Sequence, residues 1–150
     1  TIPRACFSDP EMASVGLSES QARQIHPEAR VFQTDLAEND RARIASETGL
    51  LKVVTTPRGK ILGASILGPQ ASLLLHEFVL AMEQNLSLGD LAKVVHIYPT
   101  YAGAIRKIAN AFTATRLEKP FVRTALRWVY GYDPVTPQPA DNLEPSRRPE

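Results

Sequence analysis

The residues able to do chemistry are few and widely spaced. Three histidines, His26, His76 and His96, stand apart without HExxH or any comparable ligand spacing, so no metal site is expected. The single cysteine, Cys6, excludes an internal disulfide, a CxxC redox pair and a cysteine-built zinc site. No GxGxxG or GxxxxGK(S/T) loop is present to cradle phosphates; Gly59 and Gly63 flank Lys60-Ile61-Leu62 and suit a hairpin better. Nothing reads as a nucleophile elbow. The densest chemistry lies in His96-Ile97-Tyr98-Pro99-Thr100. The residue before a proline is pushed toward extended geometry, so Val95 to Pro99 cannot be helical throughout. In an extended segment residues i and i+2 project the same way, which sets His96 on the side that bears Tyr98. His96 then reads either as a base or as a packed or solvent-facing imidazole. A phenol with a reference pKa of ~10 is a poor proton shuttle near neutrality unless strongly perturbed. His76, beside Glu77 on a helical stretch, reads as an exposed residue. The chain is therefore a binding module, or its chemistry is completed by sequence outside it.

The elements that must position this segment can be read from periodicity and caps. Arg4 to Phe7 is a short candidate strand that stops at Asp9-Pro10. Ser18 with Gln21 three residues later is a capping box, opening a short helix to about Ile25. Arg30 to Leu36 alternates, with Phe32, Thr34 and Leu36 on one face of a half-buried strand. Leu50 to Thr56 and Lys60 to Leu67 flank Pro57-Arg58-Gly59, the strongest hairpin signal in the chain. From Ala71 to Leu86, Leu75, Phe78, Val79, Met82 and Leu86 keep helical spacing, with His76, Glu77, Glu83 and Gln84 opposite. Ser87 with Asp90 caps a further short helix. After Pro99, the residues Tyr101, Ile105, Ile108 and Phe112 form another apolar stripe. Strands, a hairpin and then helices predict an α+β fold: an antiparallel sheet with helices on one face.

Composition narrows the class. At 150 residues the chain is the size of one domain, and 43% hydrophobic residues exceed what a disordered chain carries. With 17 Lys+Arg against 16 Asp+Glu, a net charge of +1 offers no global attraction for nucleic acid. No apolar run approaches the ~20 residues that span a bilayer, and the start resembles no signal peptide. A reducing, cytoplasmic setting is expected. The opening Thr1-Ile2-Pro3, without an initiator Met, suggests a piece of a longer protein. Residues 1–117 are expected to form the main domain and 118–132 a basic amphipathic helix. Residues 133–150, with five prolines and no aromatic residue, are expected to form a disordered tail. The apolar face of 120–130 packs on its own domain or docks on an anionic membrane.

Three blocks, in order, resemble the C-terminal dimerisation (interface) domain of the FAD-dependent pyridine nucleotide–disulfide oxidoreductases, the family of glutathione reductase, dihydrolipoamide dehydrogenase and mercuric reductase. The first, Phe7-Ser8-Asp9-Pro10-Glu11-Met12-Ala13-Ser14-Val15-Gly16-Leu17, is similar to the family's F-T-x-P-E-x-A-x-V-G-x entry. The second runs from Gly49 through Lys52 to Lys60-Ile61-Leu62-Gly63-Ala64-Ser65-Ile66-Leu67-Gly68-Pro69-Gln70-Ala71, resembling G-x-x-K…I-L-G-A-x-I-L-G-x-x-A. The third is His96-Ile97-Tyr98-Pro99-Thr100, at the place of the H-P-T segment. Within the second block, Gly63 and Gly68 bracket a strand where a side chain is excluded or a turn requires glycine.

The resemblance implies a homodimer whose H-P-T segment enters the partner subunit's active site, beside the flavin and a redox-active cysteine pair. It implies FAD and NAD(P)H in the full-length protein, held by upstream FAD and NAD(P) domains, with no cofactor bound and no catalysis by this domain alone. In the family a His–Glu pair there serves as acid/base for the thiol. This sequence departs at both places: Tyr98 stands for the histidine and Gly103 for the glutamate. Mercuric reductases also carry Tyr here, yet they close with a C-terminal cysteine pair, and this chain ends Glu-Pro-Ser-Arg-Arg-Pro-Glu. The implied catalytic residues are Tyr98, as a neighbour of the thiols or flavin, and His96, as a replacement base; Tyr98 and Pro99 are the implied cofactor contacts. The alternative is a stand-alone α+β protein-interaction module without redox activity.

Overall fold

The chain forms five strands. The structure, a computed structural model, describes residues 1–117 and, in isolation, Trp128. The strands are β1 (Arg4–Cys6), β2 (Met12–Gly16), β3 (Arg30–Asp35), β4 (Leu50–Thr55) and β5 (Ile61–Leu67). They form one antiparallel sheet in the order β1-β2-β5-β4-β3. The helices are α1 (Glu19–Ile25), α2 (Asp40–Ala45), α3 (Ala71–Glu83), α4 (Leu88–Leu91) and α5 (Gly103–Leu117). Thr1–Arg116 form one compact unit. The helix expected at 118–132, the tail at 133–150 and the membrane contact at 120–130 lie outside the described residues. No helix among the described residues is long and apolar enough to cross a membrane.

The period of two along the strands separates the faces. Leu51 and Val53 of β4, with Ala64 and Ile66 of β5 and Ala13 and Val15 of β2, share the main core with Leu75 and Phe78 of α3 and Ile105, Ile108 and Phe112 of α5. Phe32 packs against this core, and Thr34 and Leu36 are buried, as the alternation of that segment predicts. On the other face a smaller cluster joins Ala22 of α1 to Val54 and Leu62. Leu62 reaches that face because the register slips between Val54 and Thr55: Val54 pairs with Gly63, but Thr55 pairs with Ile61. The extra residue in β5 is a bulge that turns one side chain over. Lys52 holds α1 to the same face by pairing with Glu19 at 3.2 Å. Lys52 above all, and then Arg23, keep the Glu19 carboxyl below its usual range.

Local signals set several boundaries. The Ser18 and Ser87 capping boxes both form. The stripe expected to Leu86 ends earlier, at Glu83: Asn85 takes a left-handed φ of 54° and Leu86 lies beyond the helix, partly exposed. Gly63 permits the close approach of the chain after β2, since a Cβ there would sit 2.1 Å from the Leu17 carbonyl oxygen. Gly68, at φ +144°, ends β5 in a conformation that side chains disfavour. The sequence reading leaves β2 (Met12–Gly16) unassigned and carries the strand from Arg30 on to Leu36, whereas β3 ends at Asp35; it assigns nothing to residues 37–45. There a 3₁₀ turn (Leu36–Glu38) leads through Asn39 into α2, with Leu36 and Ala42 buried.

Phe112 closes the core against the hairpin. Its ring meets Phe32 edge-on at 5.6 Å and lies over Gly59, where a Cβ would stand 2.5 Å from the ring's Cζ. Phe112→Ala is expected to cost about 3–5 kcal/mol, transfer and cavity terms together. Urea denaturation of the 150-residue chain measures this, and a loss below about 1 kcal/mol would show that α5 is not anchored through this ring. A second test concerns α4. Asp90 accepts from Lys93 at 2.7 Å and from the Ser87 hydroxyl and backbone at 2.6 and 2.9 Å. These bonds, Lys93 first, hold its carboxyl well below the usual carboxylate range. A depressed folded-state pKa stabilises fully above the unfolded value of ~3.9 and loses that contribution as pH falls toward the folded value. Asp90→Asn should therefore be less stable than the parent at pH 7, with the gap closing below about pH 4; urea midpoints across that range report it.

Candidate functional site

Between α4 and α5 the chain runs through residues 95–100 without regular structure. This fits the proline constraint, and such a segment has no ladder to satisfy its polar groups. Other elements supply the partners. The Thr100 hydroxyl donates to the Ile97 carbonyl at 2.7 Å, tightening the turn, and the Tyr98–Pro99 peptide within it is cis. The Thr100 carbonyl accepts from Asn39 Nδ2 at 3.0 Å. On its other side Asn39 Oδ1 accepts from the backbone N–H groups of Arg41 and Ala42, at 3.0 and 3.2 Å, and so caps α2. One amide thereby fixes both a helix start and the loop.

His96 is tied inward. Its Nε2 lies 3.1 and 3.2 Å from the two carboxylate oxygens of Glu77 on α3, and its Nδ1 lies 3.2 Å from the Val94 carbonyl. The side chain is only 6% exposed. Both neighbours are acceptors, so a neutral imidazole donates to one of them. Glu77 had been expected beside an exposed His76. His76 is exposed and bonds the Ser72 carbonyl of its own helix, whereas the carboxylate serves His96, from a different element.

Tyr98 turns outward. Its ring is 77% exposed, and its hydroxyl donates to Asp40 Oδ2, the first residue of α2, at 2.9 Å. That hydrogen bond, reinforced by the carboxylate's charge, raises the phenol above its ordinary range, so it stays protonated near neutrality. His96 and Tyr98 thus line one cavity of about 210 Å³, while their side chains are held by carboxylates from α3 and α2. Pro99 lines the cavity and is exposed. The cavity's other walls come from Glu38 and Asn39 and from Gly103, Arg106 and Lys107 of α5; Lys107 pairs with Glu38 across it. At Gly103 a Cβ would lie 3.2 Å from Asn39 Nδ2, so the missing side chain leaves the amide its room. Among the described residues no three histidine, cysteine or carboxylate groups gather as a metal site.

Sequence reasoning missed Asn39, Asp40 and Glu77 as the partners that hold the loop. Asn39 ahead of Asp40-Arg41-Ala42 is a readable N-cap signal. Nothing local announces that its amide reaches Thr100.

Beside the site lies exposed apolar surface: Val95 and Ile97 are 86% and 81% exposed, and Leu73 and Leu80 project from α3.

Comparison with known proteins places this architecture. Residues 2–109 match the family model described as pyridine nucleotide-disulphide oxidoreductase, dimerisation domain. The mitochondrial dihydrolipoyl dehydrogenase of Pisum sativum is 37% identical over 112 residues, covering 73% of this chain and 22% of that protein. Dihydrolipoyl dehydrogenase 2 of Haloarcula marismortui is 38% identical, covering 73% and 24%. Leghemoglobin reductase of Glycine max is 36% identical, covering 73% and 21%. The chain thus spans between a fifth and a quarter of the length of these relatives. The crystal structure of LpdA from Mycobacterium tuberculosis superposes with a TM-score of 0.69 at 26% identity, over 73% of this chain and 24% of that one. A Cu(II) complex of the HOCl-induced flavoprotein disulfide reductase RclA from Escherichia coli shares the fold, with a TM-score of 0.70 at 24% identity over 73% and 25%. The antiparallel sheet, the glycines that let its segments close and the loop before α5 are accordingly those of a known unit: the chain belongs to the pyridine nucleotide–disulphide oxidoreductase dimerisation-domain family.

Proposed function

We infer that the chain is the dimerisation domain of a FAD-dependent NAD(P)H–disulfide oxidoreductase-like enzyme, and that its Tyr98-Pro99-Thr100 segment completes the partner subunit's active site. One observation carries this reading. The loop is held at three points by other elements of its own domain and by one bond within itself, yet it leaves Val95, Ile97 and Tyr98 each more than three-quarters exposed. Fixed, exposed apolar side chains beside Leu73 and Leu80 suit a surface that an assembly covers. The family match favours this over a stand-alone interaction module.

The residues present fit a wall of a flavin site rather than a binding pocket for the cofactor. Tyr98 and Pro99 offer an exposed, largely apolar edge, whereas the chain has no glycine-rich loop for phosphates. FAD and NAD(P)H belong to upstream domains, where the flavin when bound passes electrons to a cysteine pair. The domain alone holds no cofactor and does no chemistry. Tyr98 meets the partner's thiols or flavin. His96, buried against the Glu77 carboxylate, fits an anchor of the loop better than a free base. The exposed, unpaired Cys6 suits a reducing, cytoplasmic compartment.

Two outcomes test this. The 150-residue chain should sediment as a homodimer at ~100 µM, since a symmetric interface of about 1,200 Å² or more holds at that concentration. Monomer alone would remove the central claim. In the full-length protein Tyr98→Phe keeps the ring and deletes the hydroxyl. It should slow the oxidative half-reaction, in which thiols reduce the substrate, by about ten- to a hundredfold. Flavin reduction by NAD(P)H should proceed at the parent's rate. Stopped-flow traces of each half-reaction decide; equal rates in both would leave Tyr98 as space filling.

A further inference from the structure

The bond between Tyr98 and Asp40 decides which way the phenol is polarised toward whatever it meets. A phenol has one proton to donate, and a carboxylate can only accept. Tyr98 gives that proton to Asp40 Oδ2 at 2.9 Å, which turns the oxygen's lone pairs outward on a ring that is 77% exposed. A group arriving from outside therefore finds an acceptor. Resting on the reading above, we propose that Asp40 is the positioning residue of this site: it holds the phenol's proton, so that Tyr98 receives a hydrogen bond from a neutral donor, a thiol S–H, rather than giving one to a thiolate.

The surroundings leave this role to Asp40. No side chain at position 103 can supply a carboxylate, and Gly103 instead leaves space for the Asn39 amide. That amide caps α2 and binds the Thr100 carbonyl, so the backbone on both sides of the Tyr98–Asp40 bond is tied by one residue. Most of the other charged groups around the cavity have partners within the chain. Glu38 is paired with Lys107, and His96 with Glu77. Asp35 caps the turn at Ala37, and Arg41 lies over the Tyr101 ring at 5.8 Å. Arg106 lines the same cavity. Arg43 stands 4.0 Å from the other Asp40 oxygen, on the exposed side of α2. The raised titration of the phenol agrees with a proton held between the two groups.

A double-mutant cycle separates positioning from mere structure. In the full-length flavoprotein, Asp40→Asn should slow the oxidative half-reaction about fivefold to tenfold, and Asp40→Glu should restore part of the rate. In the Tyr98→Phe background Asp40→Asn should add no further slowing, because Asp40 acts only through the hydroxyl. Additive slowing in the double variant, or a full rate in Asp40→Asn, would overturn the proposal. A second measurement needs no flavin. In the 150-residue chain labelled with ¹³C at the tyrosine Cζ, and with Tyr98 assigned by its loss in Tyr98→Phe, the Tyr98 titration should move down toward ~10 in Asp40→Asn. An unchanged titration would equally overturn it. A full-length protein that binds no flavin refutes the enzymatic reading instead, and the titration then decides the role of Asp40 by itself.

Discussion

The Asn39 side-chain amide is the constraint on which the arrangement of the site depends. A segment without helix or ladder keeps its shape only through what neighbouring elements donate to it. Asn39 does this from both ends of one group: its oxygen ends the orphan N–H groups of α2 and its nitrogen binds the Thr100 carbonyl. The first bond sets where Asp40 sits. The second sets where α5 begins, three residues before Gly103. Through α5 the constraint reaches the core, because Ile105, Ile108 and Phe112 are buried on the stripe that follows. Loss of that amide would free the loop and the helix start together, an effect larger than one neutral hydrogen bond of about 1 kcal/mol.

Core and site share one face of the sheet. The main core packs α3 and α5 against β2, β5 and β4, and these helices carry the residues that hold the loop: Glu77 on α3 and Gly103 on α5. Glu77 lies one position before Phe78, which is fully buried, so the carboxylate's place is fixed by core packing rather than by its own contacts. The exposed loop side chains are accordingly presented by a rigid base. Rigid presentation lowers the entropy lost when a partner covers them.

Much of this fold was legible because its signals are local. Ser18 with Gln21 and Ser87 with Asp90 each complete a cap within three residues, and both caps form. The hairpin follows from the Pro57-Arg58-Gly59 turn between two strand-like runs, and the Tyr101-to-Phe112 stripe from periodicity. β2 and residues 37–45 were not legible, since a five-residue strand, a three-residue turn and a six-residue helix are too short for a periodic stripe. The site was legible only in part. His96, Tyr98 and Pro99 announce themselves by type and by the proline, but their partners lie far along the chain. Glu77 is 19 residues from His96, Asp40 is 58 from Tyr98, and Asn39 is 61 from Thr100. A bond across such a separation is a product of topology, and no window of sequence contains it.

Tyr98, Gly103 and Asp40 make sense as one arrangement. An imidazole needs a carboxylate to orient it and to share its charge, whereas a phenol needs only a fixed acceptor for its proton. At position 103 any Cβ would crowd Asn39 Nδ2 at 3.2 Å, and the amide is already committed to Thr100 and α2. Glycine there removes the crowding and with it the carboxylate. Asp40, placed by the same amide, stands within hydrogen-bond reach of residue 98 from the opposite wall of the cavity. The acceptor for residue 98 is supplied by α2, and the tyrosine hydroxyl meets it while the residue remains at the surface. Tyrosine at 98 without Asp40 would lose the group that fixes its hydroxyl. The three positions are therefore read best as a set, held in register by Asn39.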